Sequence, residues 1–165
     1  MKSHWTVNLE AIGACEDAVE WARGYKSFAE AWEACERADW LAWLVMRVAG
    51  PFGSETHRRA SALVGRLAAT APAPKGEKPD SPRLEALGLV ERYGRGEAVT
   101  RDELRAAAYA TYAASAAYAA CTAACTAAVA AAYAAAVANR LAHARLCGMI
   151  RDEYGAAEVW AMVNS

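Results

Sequence analysis

The chain has 165 residues and a formal net charge of −1, with six Trp and seven Tyr but only two Phe. That length suits a single domain with a real core, and near-neutrality removes any global attraction to nucleic acid polymers or anionic membranes. Five cysteines, an odd number in no CxxC or His-rich spacing, argue against a disulfide framework and against a zinc site, and fit reduced thiols in a cytoplasmic protein.

The charge is unevenly spread. Residues 1–40 carry 4 basic and 8 acidic side chains, whereas residues 41–83 carry 7 basic and 3 acidic. An acidic first third followed by a basic segment points to internal pairing or to a polar binding face. No signal peptide is expected from the start of the chain, where His4, Asn8 and Glu10 interrupt any apolar run.

In chain order, Asn8 is placed to cap a first helix over Leu9–Arg23, ended by Gly24, with Ile12, Cys15, Val19 and Ala22 at helical spacing. Ser27-Phe28-Ala29-Glu30 has the form of a capping box and opens a helix through Ala31, Trp32 and Cys35. Asp39 starts a further helix over Trp40–Ala49, stopped by Gly50-Pro51. Ser54 caps the next, to about Thr70, with Leu63, Val64 and Leu67 facing inward. Residues 71–81, with Pro72, Pro74, Lys75, Gly76, Lys78 and Pro79, read as a solvated linker inside one domain spanning 1–165. Ser81-Pro82 restarts a helix with proline in its first turn, running to Tyr93 and closed by Gly94 and Gly96. A short terminal helix carrying Ile150, Tyr154, Val159 and Trp160 is expected after Gly148. No stretch alternates over a strand length, so the fold class is all-α.

The chain is organised around the stretch from Thr100 to Cys147. Thr100-Arg101-Asp102-Glu103 is a second capping box, and no Gly or Pro follows until Gly148. No charged residue lies between Arg105 and Arg140, and most of that segment is alanine, the best helix former because it loses no side-chain entropy. Its larger residues, including Tyr109, Tyr112, Tyr118, Val129, Tyr133 and Leu141, recur at helical spacing. Unbroken, a helix over 101–147 would be about 70 Å long, against a radius of gyration of about 15 Å for a compact chain of this size. It must therefore project, bend or be covered by a second copy, and a homo-oligomer through this helix is the expectation. The run is long enough to span a bilayer, but alanine inserts weakly and Thr111, Ser115, Thr122 and Thr126 add polar groups, so no membrane association is expected.

The run Trp32-Glu33-Ala34-Cys35-Glu36-Arg37-Ala38-Asp39-Trp40-Leu41-Ala42-Trp43-Leu44 resembles a signature of an immunity-protein family found in phages and bacteria. Gly13-Ala14-Cys15 with Ala18-Val19-Glu20-Trp21 resembles that family's opening, and Val90-Glu91-Arg92-Tyr93, Gly96-Glu97 and Asp102-Glu103-Leu104 before the alanine-rich helix extend the likeness over nearly the whole chain. The resemblance implies a part in bacterial conflict. It implies no catalytic residues.

Three groups of residues can carry chemistry. Trp32, Trp40 and Trp43, with Asp39 and Arg47 nearby, can hold a planar ring between aromatic faces, although bulky rings also fill space that alanine leaves. Tyr109, Tyr112, Tyr118 and Tyr133 form a stripe that can line a polar cleft or pack a helix pair. His57, Arg58, Arg59 and Arg66, with Lys75 and Lys78, can grip phosphate or form a solvated face. There is no Gly-rich phosphate loop, HExxH or GxSxG, and no metal set among His4, His57 and His143. The sequence therefore reads as a non-catalytic binding protein without cofactor or metal. On this reading it sequesters a phosphorylated, nucleotide-derived immune signal, with Trp40 or Trp43 and Tyr112 on the base, Arg47, Arg58 and Arg59 on phosphate, and Tyr109 among the ligand-binding residues. The alternatives are a protein–protein inhibitor that covers a toxin or defence enzyme with its acidic first third, and a purely structural helical protein.

Overall fold

The computed structural model describes residues 4–70, 78–107, 109 and 142–165. Every regular element among them is an α-helix, and no strand occurs among the described residues. In chain order these are α1 (Val7–Ala11), α2 (Glu16–Ala22), α3 (Phe28–Ala34), α4 (Ala38–Val48), α5 (Glu55–Ala69), α6 (Pro82–Gly94), α7 (101–107), α8 (142–153) and α9 (Ala156–Val163). Two compact units result, one from Met1–Gly50 with Val137–Ser165 and the other from Pro51–Ala136. All six tryptophans fall in the first.

The first unit departs from the expected helix over Leu9–Arg23. Two helices stand there, because Gly13 takes a φ of +85° and turns the chain. Around it Gly13 N–H donates to Glu10 O at 3.0 Å and Ala14 N–H to Leu9 O at 3.0 Å, the paired bonds of a Schellman ending. Asn8 is not the cap; it donates its side-chain amide to Asn164 Oδ1 at 2.6 Å. The terminal region is corrected as well. Helix α8 passes through Gly148, and the break falls at Tyr154–Gly155. One glycine inside a helix costs only about 1 kcal/mol, which burial of Cys147, Ile150 and Tyr154 offsets.

Helices α3 and α4 pack on α9, and their inner faces meet Ile150 and Val159 in a core that holds Trp32, Val45, Leu41 and Phe28. Phe28 stacks on Trp160 with ring centroids 5.0 Å apart, and Trp5 meets both rings edge-on, at 5.9 Å and 6.0 Å. Edge-to-face and offset stacks are the favoured geometries for such rings and add about 0.5–1.5 kcal/mol per pair beyond burial.

In the second unit α5 and α6 lie antiparallel. Ser54 Oγ accepts from His57 N–H and Ser81 Oγ from Leu84 N–H, so both helices start as their sequences anticipate. The helices approach closely because a glycine stands on one side of each contact: a Cβ on Gly65 would stand 2.7 Å from Val90 Cγ1, and one on Gly94 would stand 2.7 Å from Ala62 Cβ. Gly96, with φ +83°, closes α6 by a second Schellman pair, Gly96 N–H to Tyr93 O at 2.9 Å and Glu97 N–H to Arg92 O at 3.1 Å. Tyr93 then anchors the 51–54 turn, its hydroxyl taking Gly53 N–H at 2.8 Å and lying 2.9 Å from His57 Nδ1.

The capping box at Thr100 forms in full, with Glu103 N–H donating to Thr100 Oγ1 at 3.2 Å and Thr100 N–H to Glu103 Oε2 at 2.7 Å. Of the expected helix over 101–147, residues 101–107 and 142–147 are helical and most of the remainder lies outside the described residues. The longest described helix is α5, at 15 residues. No described helix is long and apolar enough to cross a membrane.

Candidate functional site

The first unit contains a cavity of about 460 Å³, lined by Trp5, Trp21, Trp32, Trp40, Trp43 and Phe28 together with small apolar residues of α1 to α4. Its size falls in the range of small-molecule pockets, which are commonly aromatic with few polar groups. Asp39 is the one charged side chain among the described residues lining it. A second, more polar groove shares Trp21, Asp39 and Trp40 with the cavity and adds Tyr25, Glu36, Arg37 and His143.

These walls follow from local sequence. Ser27 caps α3 by accepting from Glu30 N–H at 3.3 Å, and the Glu30 carboxylate takes Lys26 N–H at 3.0 Å, so α3 begins where Phe28 and Trp32 point into the unit. Helix α4 begins two residues earlier than the expected Trp40, at Ala38, and has no side-chain cap of its own. Instead His143 Nδ1, from α8, accepts Ala38 N–H at 3.2 Å, so the His143 tautomer in this contact carries its proton on Nε2. Trp40 and Trp43 then lie three residues apart and share the cavity, and Trp21 meets Trp40 edge-on at 5.8 Å.

Around Asp39 the charges are organised. Arg37 forks onto its carboxylate, Nε to Oδ1 at 2.9 Å and Nη2 to Oδ2 at 2.6 Å, and the same guanidinium lies 4.4 Å over the Trp40 ring. Those hydrogen bonds hold the Asp39 carboxyl below its ordinary pKa, and His143 Nδ1 stands 3.9 Å from Oδ1. Below the site, Arg151 ties α8 to the end of α3 by donating to Trp32 O from Nε at 3.1 Å and Nη2 at 2.9 Å, and to Cys35 O from Nη2. Cys35 and Cys147 are buried thiols; burial raises the first and pushes the second up to about 11, so both stay protonated and unreactive near neutrality. The Trp32 indole N–H is buried with no acceptor among the described residues.

The residues singled out from sequence separate into groups. Trp40 and Trp43 line the cavity together, and Trp43 is 40% exposed. Trp32 is core as well as wall. Arg47 is spent internally, Nε donating to Ile12 O at 2.6 Å, which fastens α4 to the end of α1. Arg58 and Arg59 belong to the second unit, where Arg58 donates to Gly53 O. Tyr109 is exposed, and Tyr112 lies outside the described residues. The sequence reading missed Arg37, His143 and Trp21 as partners of this site. Arg37 three residues before Trp40 was a usable signal, since that spacing sets a guanidinium over a ring, whereas His143 comes from 105 residues away.

Among the described residues no group of His, Cys, Asp and Glu is arranged to hold a metal ion. Comparison with protein-family models, with curated proteins and with solved structures finds no match. Among the described residues the chain is thus all-α, with a cavity lined by aromatic rings in its first unit.

Proposed function

We propose that the protein binds without catalysis and sequesters a phosphorylated, nucleotide-derived signal, its base in the aromatic cavity of the first unit. The observation that carries this reading is the cavity itself: rings from several helices line about 460 Å³ beside a groove that holds the Arg37 guanidinium and the His143 imidazole together with the Glu36 and Asp39 carboxylates. Stacking on Trp faces is worth about 1–3 kcal/mol per base and tolerates any base. His143 is the phosphate partner in this arrangement, with the Arg37 guanidinium shared between Asp39 and the ligand, in place of the Arg47, Arg58 and Arg59 expected from sequence. The resemblance of Trp32–Leu44 to the immunity-protein family supplies the setting, a bacterial cytoplasm in phage conflict. A homo-oligomer formed through the alanine-rich segment belongs to the same proposal.

The test is tryptophan fluorescence titration with a panel of linear and cyclic nucleotides, followed by mass spectrometry of the recovered ligand. Quenching at micromolar ligand, with the ligand returned intact, is the expected result. Trp43→Ala should weaken binding by about tenfold or more while leaving the fold intact, because Trp43 is partly exposed. Flat titrations across the panel would refute the nucleotide reading. One observation favours a protein target instead: α2 exposes Glu16, Asp17 and Glu20 on one short helix. A complex made through that face would weaken steeply with salt.

A further inference from the structure

We infer that Asp39 reads the ribose 2′-hydroxyl, so that the ligand is a ribonucleotide and its 2′-deoxy counterpart is rejected. The inference rests on the reading above, in which the cavity holds the base. Asp39, half-exposed, lines both the apolar cavity and the polar groove, so it stands at the boundary between the part of a ligand among the rings and the part beside Arg37, His143 and Glu36. The segment of a nucleotide that joins base to phosphate is the sugar.

The chemistry of the boundary group selects within that segment. A carboxylate repels phosphate and accepts hydrogen bonds, so what sits against Asp39 is a neutral donor. An ionised carboxylate has about four acceptor positions. Arg37 occupies two of them and fixes the plane of the group, one bond to each oxygen. The Asp39 main-chain N–H takes a third, and the position left over suits one neutral hydroxyl, the ribose 2′-hydroxyl that a deoxynucleotide lacks. A free organic cation fits less well, because the Arg37 guanidinium already neutralises the carboxylate and already covers the Trp40 face at 4.4 Å. Asp39 lies in the first turn of α4, where the helix dipole further favours the ionised, acceptor-only state.

The experiment uses the full chain and two matched pairs, ADP with 2′-deoxy-ADP and GDP with 2′-deoxy-GDP, titrated by tryptophan fluorescence and calorimetry. The ribose member of each pair should bind about ten- to hundredfold tighter, the value of one hydrogen bond to a charged acceptor. Asp39→Asn should narrow that ratio to about threefold or less, with its fold checked by the fluorescence melt. Arg37→Gln should weaken both members of a pair and also narrow the ratio, because Arg37 fixes the plane of the Asp39 carboxylate. Equal binding of ribose and deoxyribose forms would overturn the inference and leave the base-cavity reading standing. A ratio that survives Asp39→Asn would also overturn it, by showing that the hydroxyl is read elsewhere. Absence of binding by all four nucleotides would remove both.

Discussion

Replacing Arg151 by Met should destabilise the first unit by about 3 kcal/mol. The guanidinium makes three contacts to two main-chain oxygens at the end of α3, Trp32 O and Cys35 O. Both residues are buried, and these carbonyls belong to the group that a helix end leaves without partners. A hydrogen bond from a charged donor contributes about 1.5–3 kcal/mol, and an acceptor left buried and unpaired costs about 1–3 kcal/mol. Two such carbonyls, counted conservatively for partial hydration, give the stated figure. Methionine keeps the aliphatic volume, so lost packing adds little. Arg151 also lies 3.7 Å from the Glu33 carboxylate, but Glu33 is 68% exposed and such pairs contribute about 0–1 kcal/mol. Carbonyl capping is therefore the dominant effect, and Glu33→Gln should cost no more than about 0.5 kcal/mol. Arg151→Lys should fall between, since an ammonium cannot reproduce the fork. Because every tryptophan lies in the first unit, urea unfolding followed by tryptophan fluorescence reads this unit selectively. A cost below about 0.5 kcal/mol for Arg151→Met, or an equal cost for Glu33→Gln, would refute the capping argument.

Two predictions concern the second unit, which contains no tryptophan and is followed by far-UV circular dichroism. Gly94→Ala should destabilise it by about 1–3 kcal/mol, because the new methyl meets Ala62 Cβ at 2.7 Å and Ala62 Cα at 3.5 Å, atoms that no rotamer change can move away. Gly88→Ala, on the same helix with nothing within 4 Å, should stabilise by roughly 0.5–1 kcal/mol; equal effects at the two positions would disprove the close-packing account. Burial, helped by the Arg101 charge, holds the pKa of His57 below its ordinary value, so the folded state favours the neutral ring that meets the Tyr93 hydroxyl. The unfolded chain then binds the proton first: the contribution is complete above about pH 6.5 and is lost as pH falls through the lower folded value. His57→Gln should flatten that acid slope, and an unchanged slope would show that another group produces it.

Features set by short spacings were legible in the chain, and features set by distant pairs were not. The capping residues Ser27, Ser54, Ser81 and Thr100 each accept the expected backbone N–H, because a hydroxyl three residues before an amide suffices to start a helix. Gly13 misled, since glycine costs little inside a helix and only its observed φ of +85° marks a turn. Gly148 misled in the opposite direction, reading as a stop where the helix continues. Within the site, Trp40 and Trp43 were legible from their spacing. The arginines were not, because charge alone does not tell whether a guanidinium faces a ligand or, like Arg47 on Ile12 O, fastens two helices together.

The start of α4 shows why the site could not be read locally. Its N-cap residue, Arg37, offers no side-chain cap, and its guanidinium is engaged with Asp39 and Trp40 instead. The first amide of the helix is satisfied by His143, and the preceding α3 carbonyls by Arg151, both from α8. Two side chains on one later helix thus fix the 35–38 connection from both sides, and that connection sets where Asp39 and Trp40 stand. A helix capped by its own sequence would hold that position with less order elsewhere. The places of Asp39 and Trp40 in the wall therefore depend on contacts made by α8 as well as on α4 itself. Ligand binding to this unit should therefore stabilise α8 as strongly as α4, although α8 contributes only His143 to the groove.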